Sequence, residues 1–173
     1  MQFDGLPENN TVVIAGTITE GCVFSHEVYG EGFYTFRISS ERLSDRADIL
    51  PVTVSERLID KELLQVGVKV DITGQLRSYN NYNSKKNRLV LTVFAREIRL
   101  MEEMEEKNEN QIFLNGFICK APIYRKTPFG REISDILVAV NRAYNKSDYI
   151  PCIAWGRNAR YMANLEVGAN IKV

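Results

Sequence analysis

Self-similarity at a spacing of about one hundred residues constrains this chain more than any other feature. Sliding the 173-residue sequence by 100 positions pairs Asn10 with Asn110, Gly16 with Gly116, Ile18 with Ile118 and Gly30 with Gly130. The same shift pairs Arg42 with Arg142, Asp48 with Asp148, Pro51 with Pro151 and Arg57 with Arg157, and Gly67 meets Gly168 after a one-residue slip. Apolar positions keep their phase. A period this long does not describe a solenoid, whose repeats run to tens of residues, so it points to a duplicated domain.

Each copy reads as the same series of elements. An aliphatic, β-branched strand comes first, TVVIAGTITEGCVF (11–24) and QIFLNGFICKAPIY (111–124). Gly16 and Gly116 lie inside it, where a strand bends to serve two sides of a closed sheet. Turns at Tyr29-Gly30 and Phe129-Gly130 lead to second strands over 33–39 and 133–140, then third strands over 49–55 and 149–155. Pro51 and Pro151 lack an amide donor, which predicts a sheet edge or a bulge there. Short helical stretches are expected over 57–65 and 157–165, each closed by a glycine suited to a left-handed cap. The first copy continues with strands over 68–79 and 87–100. Five strands with a helix between the third and fourth is the order of an OB fold.

The expected fold is therefore all-β, two tandem five-stranded OB barrels: residues 1–101, an acidic linker over 102–109, and residues 110–173. The second copy reaches Val173 where its fourth strand should begin. Strand edges left unpaired there predict oligomerisation.

The formal charge is zero but unevenly spread. Residues 1–101 carry 12 Lys/Arg against 13 Asp/Glu, residues 102–109 one against five, and residues 110–173 nine against four. Attraction to phosphates follows the local field, so the net +5 of the last part makes it the basic end. No 18-residue apolar run and no basic, apolar leader occur, so the sequence reads as cytoplasmic with no membrane segment. Cys22, Cys119 and Cys152 lack Cys-x-x-Cys spacing and read as reduced, packed thiols.

The second copy resembles bacterial single-stranded DNA-binding proteins. The resemblance is carried by NQIFLNGFICKAP, by VAVNRAY and most by DYIPCIAWGRNARYMANLEVGANIKV, with its aromatic-Gly-basic, helix, Gly, strand pattern. The first copy matches more loosely, best at GVKVDITGQLRSYNNY. This resemblance implies non-catalytic binding of single-stranded DNA in replication, recombination or repair. It also implies a bacterial, nucleoid-associated protein that forms a homodimer with four OB folds, with no cofactor and no small-molecule substrate. Two departures stand out. The family's acidic C-terminal tail has no counterpart in this sequence. Ser44, Ile49 and Ser55 of the first copy replace Tyr144, Tyr149 and Trp155.

Binding single strands without sequence preference needs rings for bases to stack on and cations along the phosphates. By resemblance, Tyr144, Tyr149 and Trp155 are the base-stackers, interleaved with Arg142, Lys146 and Arg157. Tyr149, Ile153 and Trp155 share one strand phase, although Tyr149 and Trp155 could instead pack in the barrel. The segment 120–132 sets Tyr124 and Phe129 among Arg125, Lys126 and Arg131, as a strand-tracking hairpin would. In the first copy the loop between the fourth and fifth strands offers Arg77, Tyr79, Tyr82, Lys85 and Lys86. Phe33, Tyr34 and Phe36 read as a mixture of core and groove, with no assigned role.

Catalysis has little to stand on. His26 is the one histidine and reads as an exposed loop residue, and no phosphate-cradling Gly-x-x-x-x-Gly-Lys occurs. The acidic residues have no spacing that favours a metal pair. The competing expectation is an OB-fold module for assembling the replication machinery, since the fold alone does not fix function.

Overall fold

The computed structural model describes residues 9–82, 85, 88–102 and 110–173. It divides into two compact units, residues 11–112 and residues 1–10 with 113–173.

The first unit is a closed five-stranded barrel of β1 (Asn10–Val28), β2 (Glu31–Glu41), β3 (Ala47–Ser55), β4 (Lys69–Asn81) and β5 (Arg88–Met101). β1 is shared between two neighbours. Val12–Thr17 pair with β4, and Thr17–Val28 pair with β2. β2 pairs with β3, β5 with β4, and a short parallel ladder at Val52↔Val93 and Thr53↔Phe94 closes the ring. Gly16 stands where β1 changes partner. A Cβ there would lie 2.6 Å from the Ser39 carbonyl oxygen, so only glycine lets the strands approach. Tyr29 and Gly30 both have positive φ, as a two-residue hairpin turn that matches strand twist requires. Alternate residues face inward and build the core, among them Ile14, Ile18, Phe36, Ile38, Val52, Val70 and Ile72.

In the second unit β6 (Asn110–Ile118), β7 (Ile123–Lys126), β8 (Glu132–Arg142), β9 (Lys146–Trp155), helix α1 (Arg157–Ala163) and β10 (Asn170–Lys172) follow in order. β6 pairs with β10 through Gly116↔Ile171 and with β8 through Phe117↔Ala139. β8 also pairs with β7 and β9. A Cβ on Gly116 would lie 2.4 Å from the Ala139 carbonyl oxygen. Leu114, Ile118, Ile136, Val138, Val140 and Ile150 are buried, and α1 adds Ala159 and Met162. The Ser134 hydroxyl donates to the Ala159 carbonyl at 2.7 Å and ties the helix to β8. Pro151 lies on β9, which among the described residues pairs with β8 alone.

Four expectations need correction. The helix expected over 57–65 is only a 3-10 turn at Lys61–Leu63. The Ser55 hydroxyl accepts from the Arg57 amide at 3.1 Å and the Asp60 carboxylate from the Glu62 amide at 3.0 Å, two separate local turns in place of one helix. After Trp155 a true helix forms, though it ends at Ala163 rather than 165. The single strand expected over 111–124 is broken into β6 and β7 around Pro122, which cannot donate to a ladder. His26 is no loop residue, because β1 continues to Val28 and His26 opposes Phe33. The linker expectation falls on residues 103–109, outside the described residues.

Candidate nucleic-acid interface

In the second unit, alternation along β9 turns Asp148 and Ile150 inward and Tyr149, Pro151, Ile153 and Trp155 outward. Cross-strand partners share a face, so the register arranges the outer surface in rows. One row is Arg125–Ile133–Trp155, with Ile133 itself buried, the next Ile123–Asp135–Ile153, and a third Phe117–Ala139–Tyr149. Trp155 is 52% exposed and Tyr149 44%, on a strand that runs about 20 Å between them. Phe117 is also exposed, and sequence reasoning missed it. The inward phase of Leu114, Gly116 and Ile118 was the available signal. Ala139 between Phe117 and Tyr149 leaves a shallow floor between two rings.

Tyr144 is almost fully exposed at the tip of the β8–β9 turn, with φ of 63°. Phe129 is 94% exposed in the turn between β7 and β8. The cations divide into two groups. Lys126, Arg131, Lys146 and Arg157 are exposed and make no ion pair among the described residues. Arg125 instead meets Asp135 at 3.0 Å, Arg160 meets Glu132 at 2.9 Å, and Arg142 lies 3.2 Å from buried Asp148. Tyr124 belongs to the bracing group as well. Desolvation and then its hydrogen bond to Glu132 push its phenol above the ordinary range.

The first unit presents a different outer face. Ile49 is exposed on β3, and the Ser55 hydroxyl donates to the Glu31 carboxylate. Tyr79 lies outward on β4, with Tyr82 and Lys85 exposed beyond it, and Lys86 lies outside the described residues. Phe33 also turns outward, opposite in phase to Tyr34 and Phe36, which share the inward side. His26 stacks on Phe33 with centroids 4.8 Å apart and planes within 7°, and Phe33 meets Phe94 at 5.8 Å. The Arg77 guanidinium lies 3.8 Å over the Phe94 ring. Of this column of four planar groups, sequence reasoning singled out only Arg77.

Burial pushes the thiols of Cys22, Cys119 and Cys152 upward, so all three favour the unreactive protonated form. Among the described residues no group of His, Cys, Asp and Glu could hold a metal ion, and no helix is long and apolar enough to cross a membrane.

The sequence pattern of the Single-strand binding protein family matches residues 109–173. Single-stranded DNA-binding protein A of Bacillus subtilis is 34% identical over 61 residues, 32% of this chain and 36% of that protein. The single-stranded DNA-binding protein of Bacillus anthracis matches to the same extent. The chain thus spans about a third of the length of these curated relatives. Among solved structures, wild-type single-stranded DNA binding protein from Thermus aquaticus aligns over 95% of this chain and 82% of its own. Its TM-score is 0.76 at 21% identity, a likeness of fold. The N-terminal domain of PriB protein from Thermoanaerobacter tencongensis, described as dimeric, is 49% identical over 56% of this chain and all of its own, with a TM-score of 0.49.

Proposed function

We propose that this chain, whose residues 109–173 match the sequence pattern of the Single-strand binding protein family, binds and protects single-stranded DNA without catalysing a reaction. The observation that carries this reading is the outer face of β6, β8 and β9. Trp155 and Tyr149 stand exposed in one phase on it, while their strand neighbours close a core behind. Lys126, Arg131, Lys146 and Arg157 are exposed cations of the same unit, and Tyr144 and Phe129 add rings at its turns. Unpaired bases can stack on such rings whatever their identity, and the cations track the phosphates. Arg77, Tyr79, Tyr82, Lys85 and Lys86 extend the interface on the first unit.

The same reading makes residues 1–101 and 110–173 two copies of one OB fold around the linker 102–109. Supporting it, the Gly67 amide donates to the Ile18 carbonyl at 2.8 Å, and the Gly168 amide donates to the Ile118 carbonyl at 2.7 Å. Each glycine has φ near +90°. We further propose a homodimer with four such folds, active in replication, recombination or repair in the bacterial cytoplasm. The comparisons favour nucleic-acid binding over a pure assembly module.

Trp155→Ala tests the interface. Removing one stacking ring should weaken poly-dT binding by about 1–3 kcal/mol with the melting curve unchanged. Ser55→Ala, which removes no ring, should leave affinity alone. A strongly destabilised Trp155→Ala protein would place the indole in the core and sink the stacking role.

A further inference from the structure

We infer that the first unit carries its own base-stacking site, made from strands β1, β2, β5 and β4 rather than from β3. The site is the column His26–Phe33–Phe94–Arg77, and its ligand is single-stranded nucleic acid. The inference rests on the reading above that the chain binds such strands. That reading gives the first unit only Arg77 and the rings and cations at and beyond the end of β4, because Ser44, Ile49 and Ser55 stand where the second unit has rings.

The column lies on the solvent side of the barrel, while Phe36, Ile38, Val52 and Ile72 fill the core behind it. Phe33 is only 9% exposed, because the neighbouring rings cover it. The exposed His26 stands at one end, and the half-buried Arg77 stands at the other. An imidazole and a guanidinium are both flat groups on which a base can stack, and the guanidinium also attracts phosphate. Gln75 lies opposite Phe94 in the ladder and accepts from Arg77 at 3.4 Å, which puts an amide beside the stack. Arg96 is exposed and bulges out of the β4–β5 ladder, unopposed between Ala95↔Gly74 and Glu97↔Thr73. Several of this unit's acids are already matched by cations, with Glu20 against Arg37, Glu31 against Arg57 and Asp71 against Arg99. Stacking planes flanked by cations fit a single strand.

The chain contains one histidine and one tryptophan, so each unit carries its own reporter. Two dT oligonucleotides should be titrated into the whole protein, one about 12 nucleotides long, the span of one OB site, and one about three times longer. Trp155 fluorescence reports the second unit, and the His26 ring protons, read by NMR, report the first. We expect both to respond to the long oligonucleotide, the His26 protons with an upfield ring-current shift. His26→Ala combined with Phe94→Leu should weaken binding of the long oligonucleotide about tenfold and leave Trp155 quenching by the short one unchanged. Unmoved His26 signals while the long oligonucleotide saturates Trp155 quenching would overturn the inference and leave the wider reading standing. Silence of both reporters would remove the wider reading, and the inference with it. The wild-type His26 signal needs no variant, so a fold loosened by Phe94→Leu cannot obscure the result.

Discussion

Arg142 Nε lies 3.2 Å from the carboxylate of Asp148, whose side chain is only 2% exposed. In the first unit Arg42 Nε donates to Asp48 at 2.8 Å. The two pairs, one hundred residues apart, brace the ends of the β2–β3 and β8–β9 hairpins. The repeated Arg and Asp therefore have a shared structural reason to recur. Arg142, expected on sequence as a phosphate contact, faces into its own hairpin.

Replacing Arg142 with Ala would leave the Asp148 charge buried without this partner. We predict a stability loss of about 2–3 kcal/mol, below the range for a fully buried pair because Arg142 is partly exposed. Urea denaturation measures it. Affinity for dT should change little once the comparison is made well below the midpoint.

The partner-switch glycines give a second prediction. Alanine at Gly16 or Gly116 drives a methyl into a backbone carbonyl, of Ser39 or Ala139. Backbone cannot swing aside as a flexible side chain does, so each change should cost about 1–3 kcal/mol. Alanine at Gly21, where nothing lies within 4 Å of the added carbon, serves as the control and should be nearly neutral.

These two features also show what was legible in the sequence. Gly16, Gly116 and the strand order of the first barrel could be read because they follow from local chemistry. That Tyr149 and Trp155 share one phase could be read from alternation; that this phase faces outward could not, because alternation does not say which side is the core. The His26–Phe33–Phe94–Arg77 column could not, because it depends on ring closure. β5 meets β3 in parallel only at Val52↔Val93 and Thr53↔Phe94, a register no local pattern announces. His26 seemed to lie in a loop because β1 runs nineteen residues through three register shifts, which blur its alternation. The first helix shrinks to a 3-10 turn at Lys61–Leu63 capped by the Asp60 carboxylate, a difference between the two segments that helical pattern alone does not announce.

Acid should act on the Arg42–Asp48 pair in a definite direction. The hydrogen bond from Arg42, and then its charge, holds the Asp48 carboxyl below the ordinary range. A depressed value means the unfolded chain binds this proton more readily than the folded one. The pair's contribution is therefore present above the ordinary carboxylate value of about 3.9 and is lost as pH falls through the folded value. Carboxyl NMR titration should find the Asp48 midpoint below that value, and Arg42→Gln should bring it back up.

The central claim is that bases, not only phosphates, are held on the outer rings. Titrating the protein with a dT oligonucleotide and with an abasic strand of equal length, while following Trp155 fluorescence, tests it most directly. Both strands carry the same charge, so counterion release contributes equally to each. We predict strong quenching and tighter binding by dT, with weak binding and little quenching by the abasic strand. Equal affinity and equal fluorescence response from the two strands would contradict the account.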